Sequence, residues 1–186
     1  IATKKIRGTG INTAQKISLT GAWEFAEETD LPNGSLEGSY PAATRPGFNN
    51  GKWTKIMVPN SLGAISDKWN KYEGLIGVYR RTVQIEFNKN EQAAIVLESV
   101  YWSARVFVNG VLVGDTRGGY VPSRFDISKA LKSGKNEIAI IVDNRFSTMG
   151  VLKRINEFYC NWGGILQEIR IEKYPLTAFT ELRAEG

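Results

Sequence analysis

Apolar and polar residues alternate in short runs along this chain, and clusters of glycine, proline, asparagine and aspartate separate the runs. A period of two sends successive side chains to opposite faces of a strand, and the 3.6-residue period of a helix is almost absent. The first run, GAWEFAEE, puts Trp23 and Phe25 on one face and Glu24 on the other. In IGVYRRTVQIEF, Tyr79, Arg81, Val83 and Ile85 share one side, and Arg80, Thr82 and Gln84 share the other. Val83 and Ile85 are therefore expected in the core. At most one of the two arginines can face outward freely, and the other is expected to pair with a buried carboxylate. KWTKIMVP reads as a strand ended by Pro59, which has no N–H for a ladder. AAIVLESV, SARVFVNG, VLVG, KNEIAIIVDN and ILQEIRIE continue the style, the last with Ile169 and Ile171 inward and Glu168, Arg170 and Glu172 toward water. The total is about eight or nine strands, the number a two-sheet jelly roll uses.

The punctuation between runs is equally informative. Asn109-Gly110 lies between two apolar alternations, and these residues best tolerate the two positive φ angles of a type I′ hairpin turn. Gly118-Gly119 marks a sharp corner from which Tyr120 and Pro122 emerge. Ser133-Gly134-Lys135-Asn136 turns the chain into a central strand, Ile138 to Val142. Gly163-Gly164 precedes Ile165 and lets a last strand begin beneath Trp162. Residues 31–51, rich in Gly, Pro and Asn, read as a surface loop without regular structure. DISKAL, with Asp126 or Ser128 as a cap, is the one stretch that reads as a short helix. The expected fold is thus all-β, a jelly-roll β-sandwich.

Composition narrows the chemistry. The 186 residues suit one domain with a sizeable core, and no apolar run approaches the ~20 residues of a membrane helix. The net charge is +5, but lysine and arginine are dispersed, so neither a nucleic-acid patch nor a membrane surface is expected among the partners. There is no histidine, which removes His-based triads and the usual zinc sets. Asp115, Asp143 and Asn144 form no liganding series, so neither a metal nor a cofactor is expected. The lone cysteine, Cys160, rules out an internal disulfide and reads as a small buried hydrophobe. IATKKIRGTG contains no apolar signal core. Residues 1–18 read as an extension, 19–174 as the jelly roll, and 175–186 as a linker toward a further domain.

GVYRR, then LESVYWSARVFVNGVLVGDTRGGYVPSRFDISKALKSGKNEIAIIVDN, then NWGGILQEIRI follow one another in an order that resembles the N-terminal sugar-binding domain of the family 2 glycoside hydrolases. β-Galactosidases, β-glucuronidases and β-mannosidases belong to that family. The resemblance runs from about Leu19 to Ile171 and implies a galactose-binding-domain-like sandwich. It also implies an immunoglobulin-like domain after residue 186 and a (β/α)₈ barrel of ~250 residues beyond it. The barrel would supply the two glutamates of a retaining mechanism, ~5–5.5 Å apart. This chain alone would then carry no catalytic residue and hydrolyse nothing.

In relatives resembling β-glucuronidase, an acidic residue just before the motif matched by Asn161-Trp162-Gly163-Gly164-Ile165 reaches toward the sugar. Glu157 is the nearest carboxylate here, one position from that register, which Phe158 occupies. The resemblance makes Glu157, Tyr159, Asn161 and Trp162 candidates for the substrate rim, with the rings of Tyr159 and Trp162 able to stack on a pyranose. The competing reading makes Glu157 a solvated loop carboxylate and Tyr159 and Trp162 core plugs. Trp23, Trp53 and Trp102 read as packing residues, while Trp69 and Tyr72 are the best exposed aromatic candidates. Three functions follow: a non-catalytic domain of a β-glycosidase that braces the barrel and shapes its rim, a free-standing carbohydrate-binding module, or an interaction domain without ligand. The expected partners are β-glycosides and the remaining domains of the same polypeptide, in a periplasmic or secreted setting.

Overall fold

A strand with one apolar face is stable only when a second layer covers that face, so alternating segments stack as sheets. The computed structural model describes residues 14–66, 74–145 and 162–176. Its strands are β1 (Gln15–Ser18), β2 (Gly21–Glu27), β3 (Thr54–Val58), β4 (Asn60–Ser61), β5 (Ile76–Ile85), β6 (Glu91–Leu97) and β7 (Val100–Tyr101). They continue with β8 (Ser103–Val108), β9 (Val111–Arg117), β10 (Ser123–Asp126), β11 (Gly134–Asp143), β12 (Gly164–Ile165) and β13 (Ile169–Pro175). A six-stranded antiparallel sheet runs β3-β2-β5-β11-β8-β9 and a four-stranded one β1-β13-β6-β10; a small sheet, β4-β12-β7, shares their core through Val100 and Ile165. More strands form among the described residues than the alternation marks, because β1, β4, β7, β10 and β12 are at most four residues long. So few residues cannot display a period.

The register puts the core where the pattern places it. Ile140 pairs with Tyr79 on one side and Val106 on the other, so these three fully buried side chains form a row across the six-stranded sheet. Ile171 pairs with Ile95 in the four-stranded sheet, and both belong to the same core. Trp23, Phe25, Val83, Ile85 and Ile169 join them, as expected. Each such side chain contributes about 1.5–3 kcal/mol through burial. The Asn109-Gly110 hairpin also forms, with φ of 52° and 79° and Val108 opposite Val111.

Residues 31–51 form the expected loop without strand or α-helix, but parts of it are packed down. The unbroken apolar run Ile138–Val142 is apolar on both faces of β11, so the sheet needs a second cover. Ala139 and Ile141, with Val78 and Phe107, form a second cluster on the outer face. Leu31 and Ala43 are buried against it, and Leu36, Phe48 and Trp53 pack around them, with a single 3₁₀ turn at Ala42–Thr44. The segment is the expected surface loop, mostly exposed, and its few buried side chains pack it down as a lid. Arg80 is buried beneath it, bonded to Glu24 and to the Phe48 carbonyl, with its guanidinium 4.0 Å from the centre of the Trp53 ring. Its carboxylate partner is half exposed, contrary to expectation. Arg81 donates to the carbonyls of Leu19 and Thr20 at 2.6 and 3.1 Å.

Two further expectations are corrected. DISKAL makes one hydrogen-bonded turn, not a helix; Asp126 accepts the Ser128 N–H at 2.8 Å, and Ile127 is drawn into the core. Local side-chain bonds of this kind compete with helix formation. The α-helix among the described residues is a single turn elsewhere, Leu62–Ile65. Glu172 does not face water: it is buried between Arg124 and Arg170, and Arg170 also holds Glu98. Burial pushes the Glu172 carboxyl up, but the hydrogen bonds from Arg124 and Arg170 outweigh it and hold the group below its usual range.

Glu137 shows the opposite balance. Its Oε2 accepts the Gly47 N–H at 3.4 Å, while Oε1 is buried without a hydrogen bond. Burial pushes this carboxyl above its ordinary range, against the pull of the Gly47 amide and Arg80. The native state therefore keeps this proton longer than the unfolded chain, and stability falls as pH rises from the ordinary glutamate value through the raised one. Glu137→Gln is expected to raise the melting temperature at neutral pH and to leave it nearly unchanged below about pH 4. An equal change at both pH values would show that ionisation is not the cause.

Candidate functional site

The short sheet β4-β12-β7 forms one end of the sandwich, and its geometry is set by close backbone approaches. A Cβ on Gly163 would lie 1.8 Å from Nδ2 of Asn144, so only glycine fits there. Asn144 is fully buried; its Oδ1 accepts the Leu75 N–H at 2.9 Å, and its own N–H donates to the Leu75 carbonyl at 3.2 Å. The Gly163 carbonyl in turn accepts the Leu62 N–H at 2.6 Å. Gly164 then pairs with Ser61 on one side and Tyr101 on the other, and Ile165 enters the core. This pinned turn leaves Trp162 53% exposed, which overturns the core-plug reading of that residue.

A second aromatic group stands at the same end. Gly119 meets the ring of Tyr101 so closely that a Cβ would come within 2.2 Å of it. The corner then throws Tyr120 over Tyr101, with centroids 4.7 Å apart and planes 28° from parallel. Trp102 sets its ring edge-on to Tyr101, with centroids 5.8 Å apart. Burial pushes both phenols up, and Tyr120 adds to the effect on Tyr101, so both stay neutral hydroxyls at physiological pH. They can stack and donate, and they cannot serve as bases. Tyr120 and Val121 are exposed beside them.

Of the rim candidates, Trp162 is thus presented outward, whereas Glu157, Tyr159 and Asn161 lie outside the described residues, as do Cys160, Trp69 and Tyr72. The Tyr101–Tyr120 stack was not legible as a site; its one sequence signal is a Gly-Gly pair followed by an aromatic residue. Among the described residues, no group of three acidic, histidine or cysteine side chains could hold a metal ion, and no helix is long and apolar enough to cross a membrane. Trp23 and Trp53 pack as expected, the former donating its indole N–H to the Leu19 carbonyl at 2.8 Å.

The profile of the family described as "Glycosyl hydrolases family 2, sugar binding domain" matches residues 17–175. The chain belongs to this family. A putative β-glucuronidase of Formosa agariphila is 31% identical over 147 residues, a match that covers 73% of this chain and 17% of that protein. A β-galactosidase of Thermoanaerobacter pseudethanolicus is 32% identical over 103 residues, covering 53% of this chain and 14% of the enzyme. The crystal structure of a Bacteroides uniformis β-glucuronidase superposes with a TM-score of 0.66 at 27% identity, over 87% of this chain and 18% of that one. A β-glucuronidase from an uncultured Clostridium shares the fold at a TM-score of 0.69 and 18% identity, over 94% and 31% of the two chains. The family 2 sugar-binding domain thus spans less than a fifth of these two curated relatives.

Proposed function

We propose that this chain is a non-catalytic domain of a β-glycosidase of β-glucuronidase or β-galactosidase type, which braces the catalytic barrel and lends its aromatic end to the rim of the active site. The observation that carries the reading is Trp162: within the family match, the pinned Gly163-Gly164 turn holds a large ring out of the core. An exposed indole with an apolar face and a polar edge suits a sugar ring. Its partners would be β-glycosides and the remaining domains of the same polypeptide.

The test uses the full-length polypeptide. Trp162→Ala is expected to leave stability within about 0.5 kcal/mol, as for other exposed positions. The same change lowers kcat/KM for an aryl β-glucuronide or β-galactoside by about tenfold, mainly through KM. Unchanged kcat/KM for both substrates would remove Trp162 from the rim and the reading with it. The chain by itself is expected to release no aglycone and to bind monosaccharide glycosides in the millimolar range or more weakly. Micromolar binding by calorimetry would instead favour a self-sufficient carbohydrate-binding module.

A further inference from the structure

On the outer face of the six-stranded sheet, next to the aromatic end, lies a groove of ≈520 Å³. That volume falls among small-molecule sites, which run from about 300 to 1,000 Å³. Its floor is apolar: Ile76 and Ile141 are buried on this outer face and come from the adjacent strands β5 and β11. Trp102 lines the groove and, through its contact with Tyr101, joins it to the aromatic cluster.

The walls are polar, and several of their planar groups are fixed in advance. Arg145 holds Asp143 with two nitrogens, at 3.1 and 2.9 Å, and approaches Glu28 at 3.8 Å. Arg105 donates to the carbonyls of Leu36 and Gly38 at 3.2 and 3.3 Å. Asp115 and Arg117 stand exposed on β9 and complete the wall. Groups held in this way lose little conformational freedom when a ligand arrives, which favours binding.

The charge balance decides the ligand class. Four carboxylates, Glu28, Glu37, Asp115 and Asp143, stand against three guanidinium groups, so the groove favours neither a strong anion nor a strong cation. It offers instead closely mixed donors and acceptors around an apolar floor with one indole. A sugar ring has the complementary form: an apolar C–H face and a perimeter of hydroxyls that both donate and accept. We propose that the groove is a binding subsite for a short, uncharged oligosaccharide, lying on the domain's own surface beside the rim; this rests on the reading of the chain as part of a β-glycosidase.

The probes are cellotetraose, β-1,4-galactotetraose and β-1,4-mannotetraose, each titrated into the 186-residue chain and followed by amide and indole NMR. At least one is expected to bind in the millimolar range and to shift the Trp102 indole together with the amides of Asp115 and Arg117. Asp115→Ala and Arg117→Ala are each expected to weaken that binding about tenfold. Both side chains are exposed, so melting curves should remain those of the wild type. Binding by none of the three, or binding that survives both substitutions, would overturn the proposal. Shifts confined to Trp162 would overturn the groove and leave the rim reading standing. Groove binding with unchanged kcat/KM in the Trp162→Ala full-length protein would sink the rim reading alone.

Discussion

Gly163→Ala is expected to destabilise the domain by about 4 kcal/mol, an overpacking strain of about 1–3 kcal/mol added to the loss of a buried hydrogen bond of similar size. For a domain of this length that corresponds to a melting temperature roughly 8–16 °C lower. The new methyl would meet the Asn144 side chain at 1.8 Å on Nδ2 and 2.2 Å on Cγ, far inside contact distance. Asn144 has nowhere to go: a Cβ on Gly74 would lie 2.3 Å from its carbonyl, and its Oδ1 is engaged by Leu75. Moving the Gly163 backbone instead breaks its bond to Leu62, which seats the helical turn on the small sheet. Combining Gly163→Ala with Asn144→Ala should therefore cost less than the two single changes summed, since the shortened residue 144 removes the atoms that the new methyl would meet and the methyl fills part of the space left. Thermal denaturation of the three variants measures this. Strict additivity would show that the pair does not share one cavity.

Asn136→Ala comes next, at about 3 kcal/mol, because the side chain of this fully buried residue is bonded at both ends. Its Oδ1 accepts the Lys132 N–H at 3.0 Å and the Asn109 Nδ2 at 2.8 Å. Its Nδ2 donates to the carbonyls of Lys132 and Gly134 at 2.7 and 2.9 Å. Asn109 continues the chain by donating to the Ala130 carbonyl and accepting the Glu137 N–H, so one network ties the β8–β9 hairpin to the entry of β11. Alanine leaves several buried partners unmet, and a network of this kind is worth more complete than in pieces. Asn136→Asp keeps the shape but sets an oxygen against two carbonyls, and should be no better than alanine. Near-native melting of the aspartate variant would show that packing, not hydrogen bonding, is what Asn136 supplies.

The Asn136 network shows how the start of β11 is held in place. Ser133-Gly134-Lys135-Asn136 reads as a turn from residue types, but Gly134, Lys135 and Asn136 already belong to β11, paired with Ile85, Gln84 and Val83. That Asn136 would meet Asn109, brought there by a hairpin 27 positions earlier, required the fold. The site shows the same division. The motif around Asn161-Trp162-Gly163-Gly164-Ile165 could be found by eye, but that Trp162 stands exposed, next to a Gly163 held against Asn144, required the fold. The groove could not be foreseen, because its wall and floor come from segments between Glu28 and Arg145 that no local pattern connects.

By itself, the sequence determined the strand pattern, the inward faces bearing Trp23, Phe25, Val83, Ile85, Ile169 and Ile171, and the Asn109-Gly110 hairpin. These depend on a two-residue period and on the φ preferences of single residues, which are carried by near neighbours. Only the tertiary structure decided that residues 31–51 form a packed lid, that Arg80 and Glu172 are buried in ion pairs, and that Trp162 stands outside the core. Each of those outcomes depends on which distant atoms meet, and that is set by strand register and sheet stacking rather than by the residues on either side.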